Sequence, residues 1–227
     1  MAHQTVDRPV EDEQRRRMSY DEYVDWAVDD VWSEWVDGEV IVFVPPLIGH
    51  QYVVAFLFTL VRLYADLLKL GTVLPHQTEL LILGGRVSRE PDLTFVAAAN
   101  LDRVTDRRVE GWADLVVEVV SDDSVTRDRR DKWQQYAEAG VAEYWLLDWW
   151  PGRQRADFFQ LGPDGVYERQ ELDAAGRYHS RVLHGFWLDP AWLWQDPLPD
   201  PVRLMAEIAP HAWRDPVLGR ESSPDAE

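Results

Sequence analysis

The longest apolar stretch of the chain has a helical pattern. Residues 49–70 are apolar except for a few positions, and the charges at Arg62, Asp66 and Lys69 recur at helical spacing. This pattern predicts one long helix with a broad buried face, ended by Gly71. The three charges make the stretch a poor membrane span.

A second apolar stretch predicts the centre of a sheet. Residues 113–120 are almost wholly apolar, which is typical of a strand buried on both faces. A helical pattern over 124–139 follows, ended by Gly140, and 143–149 then reads as another buried strand. A helix between two buried strands predicts that these strands are parallel neighbours.

Local signals define the remaining elements. Ser19 and Glu22 form a capping-box pattern before a short helix over 20–28, and a hairpin is predicted over 35–44 with its turn at Asp37-Gly38. Further elements are predicted as strands over 72–83, 92–97, 156–161, 166–172 and 180–182, a charged loop over 100–111, and a short helix near 204–208.

Together these elements predict an α/β fold with a mixed sheet and helices on its faces. The length of 227 residues suits one sizeable domain. We expect a flexible arm over 1–17, the domain over 18–196, and a mostly disordered tail rich in Pro and acidic residues over 197–227.

Composition narrows the possible functions. The formal net charge of −18 argues against a broad basic surface for nucleic acid, although it permits a small basic cleft or a carboxylate metal site. The absence of cysteine excludes disulfides, thiolate nucleophiles and cysteine zinc sites. No apolar signal core precedes Met18, so we expect a soluble, cytoplasmic protein without a membrane partner. The only lysines are Lys69 and Lys132 among 23 basic residues, so an ammonium is a candidate requirement at either position.

Three residues form the candidate catalytic set. Asp92 begins one predicted strand and Glu118 lies in an apolar strand, where a buried carboxylate is costly unless it is paired. A divalent cation shared by the two acids, Mg²⁺ or Mn²⁺, would pair with both. Lys132, on the next helix, could orient an attacking water. The alternative reading is structural: Lys132 pairs with Asp128 on the helix surface, and Asp92 caps a turn.

These residues belong to a longer pattern that resembles the Uma-two family of restriction endonucleases, within the PD-(D/E)xK nuclease superfamily. The resemblance covers about 19–194. The matching positions are Glu34, Asp37-Gly38-Glu39, Pro45-Pro46, His50, Pro91-Asp92, the run from Asp114 through Glu118 to Ser121, Asp128, Lys132, Tyr136, Ala139-Gly140-Val141 and Glu143-Tyr144-Trp145.

The resemblance implies a restriction-endonuclease-like αβββαβ core, which agrees with the predicted element order. It implies Asp92 and Glu118 as metal ligands. The superfamily lysine normally stands two residues after the glutamate, where this chain has Val120. In this family the lysine is displaced to the following helix, and Lys132 occupies that place.

Several other residues are candidates for supporting roles. Glu34 is the candidate for an additional acid that many such nucleases carry, with a solvated carboxylate as the alternative and Glu39 as a competitor. His50 could hydrogen-bond a phosphate or a metal ligand, or make only a structural contact. Between Gln77 and Glu79, which precede Asp92, we favour Gln77 as the residue facing the cluster.

Aromatic residues are further candidates for the site, the core and an interface. Tyr136, four residues after Lys132, either touches the same cleft or packs in the core. Most of the 12 tryptophans are predicted to be core or interface residues and not a sugar-binding surface. Trp149-Trp150 forms a candidate aromatic edge for a homodimer contact.

Two functions follow from this reading. The first is a Mg²⁺-dependent endonuclease acting on DNA, in which Asp92 and Glu118 bind the metal, Lys132 positions the water and Glu34 assists. The second is a catalytically weak or inactive nuclease fold that serves as a binding or regulatory module in a defence or mobile-element complex. The acidic net charge favours the second, and the complete Asp, Glu and Lys set favours the first.

Overall fold

The structure is a computed structural model of the 227-residue chain. It describes residues 16–27, 33–42, 47–120 and 128–213, with the side chains of 128 and 129 excepted. The start of the predicted helix over 124–139 therefore lies outside the described residues. The other predicted features that lie outside them are Pro45-Pro46, Ser121, most of the N-terminal arm and the end of the C-terminal tail.

Four α-helices lie in the described part of the chain. They are α1 (Tyr20–Trp26), α2 (Ile48–Leu68), α3 (Trp133–Ala139) and α4 (Pro201–Ile208). The Ser19 hydroxyl accepts from the backbone N–H of Glu22, and the Glu22 carboxylate accepts from the Ser19 N–H, so the predicted capping box is confirmed. A π-helical turn, Asp128–Lys132, leads directly into α3, and Gly140 ends that helix with a φ of 91°.

The described strands form two six-stranded sheets and a two-stranded hairpin. In chain order they are β1 (Arg16–Arg17), β2 (Ser33–Val36), β3 (Glu39–Val42), β4 (Gly71–Pro75), β5 (Glu79–Ile82), β6 (Val87–Arg89), β7 (Leu93–Ala97), β8 (Arg108–Glu110), β9 (Leu115–Val119), β10 (Glu143–Asp148), β11 (Arg155–Leu161), β12 (Tyr167–Gln170), β13 (Tyr178–His179) and β14 (Trp187–Leu188).

The first large sheet, here called the core sheet, has the order β12-β11-β10-β9-β7-β4. Strands β9 and β10 are parallel and are joined through α3, as the sequence predicts, and the other neighbours are antiparallel. The chain α2-β4-β7-β9-α3-β10 thus gives the αβββαβ order. The fold is α/β and restriction-endonuclease-like.

The other large sheet, here called the side sheet, has the order β1-β3-β2-β6-β5-β8. Its presence corrects the expectation of one mixed sheet. The predicted strand over 72–83 is in fact two strands in different sheets, because the chain turns after Pro75 and leaves the core sheet. The side sheet also contains β6, which the sequence reading missed, and β1, formed by the last two residues of the expected arm.

Buried apolar side chains cover both faces of the core sheet. One face packs against α2 and α4, with Leu60, Phe95 and Trp145 at its centre. The opposite face packs against α3 and the side sheet, with Leu80 and Val116 at its centre. Because α4 contributes to the core, the ordered domain continues past the expected boundary at 196.

Two predicted boundaries differ in detail. Helix α2 ends at Lys69, which adopts the left-handed conformation with φ 55°, whereas Gly71 is already the first residue of β4. The predicted strand over 180–182 is absent from the described secondary structure; the short strands there are β13 and β14, on either side of it.

By length and composition, α2 is the one described helix that could cross a membrane. Its buried residues, among them Leu57 and Leu60, pack onto the core sheet, while Arg62 and Asp66 form an ion pair on the outer face. This is the arrangement of a core helix with one covered face.

Candidate active site

Asp92 and Glu118 lie at neighbouring positions of adjacent strands in the core sheet. Leu93 of β7 is paired with Val117 of β9, so one residue further along each strand Asp92 lies opposite Glu118. In an antiparallel pair, opposite side chains share a face and their Cβ atoms are about 5 Å apart. The Glu118 side chain is on the face that packs against α3, because it shares the strand periodicity of Val116, which is part of that core. Asp92 immediately precedes β7, and its carboxylate contacts His50 of α2.

The Glu118 carboxylate is buried and accepts from two groups on the helix side. The Lys132 ammonium is 2.9 Å from Oε2, and the Tyr136 hydroxyl donates to Oε1 at 2.7 Å. Burial and the nearby Glu118 charge raise the pKa of Tyr136 well above its usual range, so the phenol stays a donor. Because Lys132 and Tyr136 are four residues apart, they lie on the same side of the helical segment and reach the same carboxylate.

The ammonium of Lys132 also contacts Glu34, which lies on β2 of the side sheet. The distance from Lys132 Nζ to Glu34 Oε1 is 3.3 Å. Arg89 of β6 binds the other oxygen of Glu34, and the backbone N–H of Glu90 donates to Oε1 at 3.2 Å. Although burial acts to raise the pKa of Glu34, Lys132 and Arg89 outweigh it and lower that pKa to about 2.

The buried charges therefore form a balanced network. Two acids, Glu34 and Glu118, alternate with two cations, Lys132 and Arg89, and all four residues are less than 5% exposed. Buried charges are tolerated when they are paired and hydrogen-bonded in this way. The network joins the two sheets to the helical segment at one point.

Asp92 is held by the end of β9 and by His50. Its Oδ2 accepts from the backbone N–H of Val119 at 2.7 Å, and His50 Nε2 is 3.5 Å from the same oxygen. His50 Nε2 also donates to the Val119 carbonyl at 2.8 Å. His50, at the start of α2, thus fixes both the strand end and the position of Asp92.

Acidic groups continue beyond this network into the side sheet. Burial first, and then the charges of Glu34 and Glu79, raise the pKa of Glu90 to about 7. Glu79 accepts hydrogen bonds from Tyr20 at 2.5 Å and from Ser88 at 2.8 Å. Glu90 and Glu79 are therefore further acidic groups on the side-sheet flank of the network.

The donor set at Asp92 and Glu118 fits a hard divalent ion. Within the described residues, Oδ1 of Asp92 accepts no hydrogen bond, and its side chain is 10% exposed. Mg²⁺ typically uses one or two carboxylates and completes its shell with water and substrate phosphate. Among the residues that the structure describes, no group of three or more His, Asp or Glu side chains could hold a metal. A site here would therefore depend on these two acids.

The structure brings most of the sequence candidates into one region. Lys132 contacts both Glu34 and Glu118, Tyr136 contacts Glu118, and His50 contacts Asp92. Glu39, the competitor of Glu34, instead pairs with Arg17 on the neighbouring strand β1.

The predicted position of Gln77 is wrong. The residue is exposed in the turn between β4 and β5, with a φ of 65°, and is not on a strand. It lies outside the contacts described above, because the chain changes sheets at this turn. Glu79 is the residue of the pair that lies on a strand, and it contacts Tyr20 and Ser88.

Sequence reasoning missed Arg89 and Gln135. The guanidinium of Arg89 donates from Nε and Nη2 to Gln135 Oε1, in addition to its bond with Glu34. The one available signal was an arginine two residues before Pro91-Asp92, in a short polar segment. The pairing itself depends on contacts between distant strands.

The comparison with protein families supports the fold and the class of this region. Residues 20–191 match the profile of the Uma2 family, described as "Putative restriction endonuclease". The chain belongs to the Uma2 family. The matched range includes every residue of the network described above, although the match assigns no role to any of them.

Solved structures and curated proteins give further context for this Uma2-family chain. It is similar to the crystal structure of a putative nuclease belonging to DUF820 from Anabaena variabilis ATCC 29413, with a TM-score of 0.63 and 16% sequence identity. The similarity covers 78% of this chain and 97% of the other. No curated protein matches the sequence.

Proposed function

We propose that this protein is a metal-dependent endonuclease that hydrolyses DNA phosphodiester bonds, with Asp92, Glu118, Lys132 and Glu34 as its catalytic cluster. The observation that carries the proposal is the buried Lys132 ammonium, 2.9 Å from Glu118 and 3.3 Å from Glu34. Membership of the Uma2 family supports the nuclease class.

Asp92 and Glu118 would hold Mg²⁺ or Mn²⁺ through hard carboxylate oxygens. Such an ion, when bound, polarises the phosphate and lowers the pKa of a coordinated water. His50 keeps Asp92 in place through the end of β9, since it contacts both the carboxylate and the Val119 carbonyl. Groups that orient metal ligands in this way commonly matter for affinity.

Lys132 would act on the water and on the phosphate. Its ammonium is fixed beside Glu118, so a donor faces the place where negative charge develops during hydrolysis. Glu34 stays ionised because of its low pKa, and it therefore balances the ammonium and does not serve as a proton acceptor. This assigns Glu34 an electrostatic role in the cluster.

A cleavage assay tests the proposal. Purified protein is incubated with supercoiled plasmid and Mg²⁺, and the rate of nicking is measured for the natural chain, Lys132→Met and Lys69→Met. We expect Lys132→Met to lose about 100-fold or more of the rate. Lys69→Met should match the natural chain, because Lys69 is exposed at the end of α2.

One outcome of the same assay would contradict the proposed function. If the natural chain and Lys132→Met give equal traces of nicking, the activity is a contaminant and the proposal is wrong. Chelation with EDTA should stop the reaction of the natural chain, since the proposed chemistry depends on a divalent ion.

The acidic charge favours a second candidate, a nuclease-fold binding or regulatory module in a defence or mobile-element complex. The net charge of −18 opposes duplex binding by the chain alone. Intact folding without Mg²⁺-dependent cleavage of any DNA form would favour this candidate.

A homodimer is part of the proposal. Apolar side chains are exposed at the start of α2, where Leu47 is 55%, Ile48 74% and Tyr52 66% exposed. Trp149 is half-buried beside them, with its ring directly over Gly49. Light scattering of Ile48→Ser and the natural chain tests this: loss of the dimer in the variant supports it, and a monomeric natural chain excludes it.

A further inference from the structure

Arg89 is the most deeply buried cation of the described residues. It lies at the end of β6, three residues before Asp92, and is 1% exposed. A buried guanidinium is costly unless its donors are satisfied, so this position calls for specific partners. The surroundings of Arg89 supply them on two sides.

The guanidinium connects a strand to the helix. Nη1 donates to Glu34 on β2, and Nε and Nη2 both donate to the Gln135 side-chain oxygen on α3. The planar guanidinium therefore donates hydrogen bonds in two directions, to Glu34 and to Gln135. A lysine has a single ammonium and could not reproduce this geometry.

Both partners of Arg89 bear on Lys132. Glu34 contacts the Lys132 ammonium directly at 3.3 Å. Gln135 follows Lys132 by three residues, so it lies on the same side of the helical segment. Arg89 thus holds Glu34, which is the counter-ion of Lys132, and it also holds the helical segment that carries Lys132.

We propose that Arg89, acting with Gln135, is a positioning residue that fixes the Lys132 ammonium between Glu34 and Glu118. The catalytic consequence rests on the proposed function. The positioning itself does not, because it concerns only the geometry of side chains within the folded chain.

The charge arrangement explains why Arg89 would matter for position. Glu34 is shared between two cations, and the carboxylate oxygen nearest Lys132 is not the one that binds Arg89. Without Arg89, Lys132 would be the only cation beside Glu34, and both carboxylate oxygens would attract its ammonium. Lys132 would then move toward Glu34 and away from Glu118.

The lysine content allows a direct test by nuclear magnetic resonance. The chain has two lysines, so ¹³C-lysine labelling gives two side-chain spin systems, and Lys69→Arg assigns them. The exposed Lys69 is an internal reference. In the natural chain we expect the two ε-methylene protons of Lys132 to have separate shifts, because the buried ammonium is fixed.

The variants make the inference falsifiable. Arg89→Met should change the Lys132 shifts and merge its ε-methylene protons, while the Lys69 signals stay in place. Arg86→Met is the matched control: this arginine is 60% exposed, donates from Nε to the Leu83 carbonyl at 3.3 Å and makes long contacts with Asp37 and Glu138. Unchanged Lys132 signals in folded Arg89→Met would overturn the proposal.

Two further variants cover a loss of folding in Arg89→Met. Gln135→Met removes the helix link and keeps the ion pair, and the double variant Arg89→Met/Glu34→Gln removes both buried charges together. Each should alter the Lys132 shifts in a folded protein. If neither does, Arg89 has only a structural role and the proposal is wrong.

Kinetics connect the positioning to catalysis. Arg89→Lys keeps the charge but loses the fork, and we expect kcat for plasmid nicking to fall about 10- to 100-fold with KM little changed. Arg86→Met should match the natural chain. Equal kcat in Arg89→Lys and the natural chain would contradict the catalytic part. If the natural chain shows no cleavage, the proposed function fails, while the Lys132 resonances still decide the positioning.

Discussion

Neighbouring strands β9 and β10 each bury a glutamate, and the two carboxylates are stabilised in different ways. Glu143, at the start of β10, is 0% exposed and accepts five hydrogen bonds from neutral groups. Glu118, near the end of β9, is paired with the ammonium of Lys132 and the hydroxyl of Tyr136. The chemistry of the partners separates an acid bound by neutral donors from an acid paired with a cation.

The donors around Glu143 explain its structural character. They come from Trp145 on the same strand and from the segment Tyr178–Val182, including the hydroxyls of Tyr178 and Ser180 and two backbone N–H groups. Each donor is fixed in the core or in the backbone, so the carboxylate anchors the C-terminal segment to the sheet. Nothing in this arrangement favours an added cation.

The two glutamates also lie on opposite faces of the core sheet. Glu143 has the periodicity of Trp145, which packs toward α2, whereas Glu118 has the periodicity of Val116, which packs toward α3. Only Glu118 is opposite a second acid, Asp92. The pair of strands thus supplies a natural control within one sheet.

The largest expected effect is a difference in nicking activity between variants of Glu118 and Glu143. Glu118→Gln should reduce Mg²⁺-dependent plasmid nicking about 100-fold or more, since it removes a proposed metal ligand and a partner of Lys132. Glu143→Gln should keep the natural rate per folded molecule, because the residue is remote from the cluster. Rates are normalised to the folded fraction from circular dichroism. Equal losses in both variants would break the comparison.

The next largest effect concerns the free energy of unfolding, which we expect to depend on the hydrogen bonds of Glu143. Glu143→Gln places an amide NH₂ group against donors, which leaves buried groups unsatisfied, and we expect a loss of about 2–3 kcal/mol in the free energy of unfolding. Urea titration measures it. Glu168→Gln on the exposed side of β12 is the control and should stay within about 0.5 kcal/mol. A neutral Glu143→Gln would show that its hydrogen bonds do not anchor the segment.

The buried ion pairs of Glu34 predict a pH dependence of stability. The folded pKa of Glu34 is about 2, below its usual value of 4.5. Its contribution to stability is therefore present above about pH 4.5 and is lost as the pH falls toward 2. Glu34→Gln should flatten the dependence of the urea midpoint on pH in this window.

The smallest expected effect concerns the turn that sequence reasoning placed on a strand. Gln77→Asn keeps a residue that tolerates the positive φ and removes the longer side chain. We expect the nicking rate to stay within about twofold of the natural chain. A tenfold loss would return Gln77 to the active site.

Local patterns predicted much of the core sheet and its helices. The capping box at Ser19, the turn at Asp37-Gly38 and the apolar run of β9 each depend on neighbours in the chain, so the sequence displays them directly. The αβββαβ order follows from their succession. The division into two sheets is not visible in this way, because the turn after Pro75 is short and both strands beside it are apolar.

The site was partly predictable for the same reason. Asp92 and Glu118 stand out as charges beside or in apolar runs, and Lys132 stands out as one of the two lysines of the chain. The bond between Arg89 and Glu34 depends instead on the antiparallel pairing of β2 with β6, in which Trp35 is opposite Ser88. No local pattern encodes that register, so the arginine and Gln135 were not found.

Metal binding by the two opposed acids tests the account most directly. Mn²⁺ is titrated into the natural chain, Asp92→Asn, Glu118→Gln and Glu143→Gln, and bound ions are counted by electron paramagnetic resonance. We predict one ion per chain in the natural protein and in Glu143→Gln, and none in the other two. Equal binding in all four proteins, or no bound ion in the natural chain, would contradict the assignment of Asp92 and Glu118 as a metal centre.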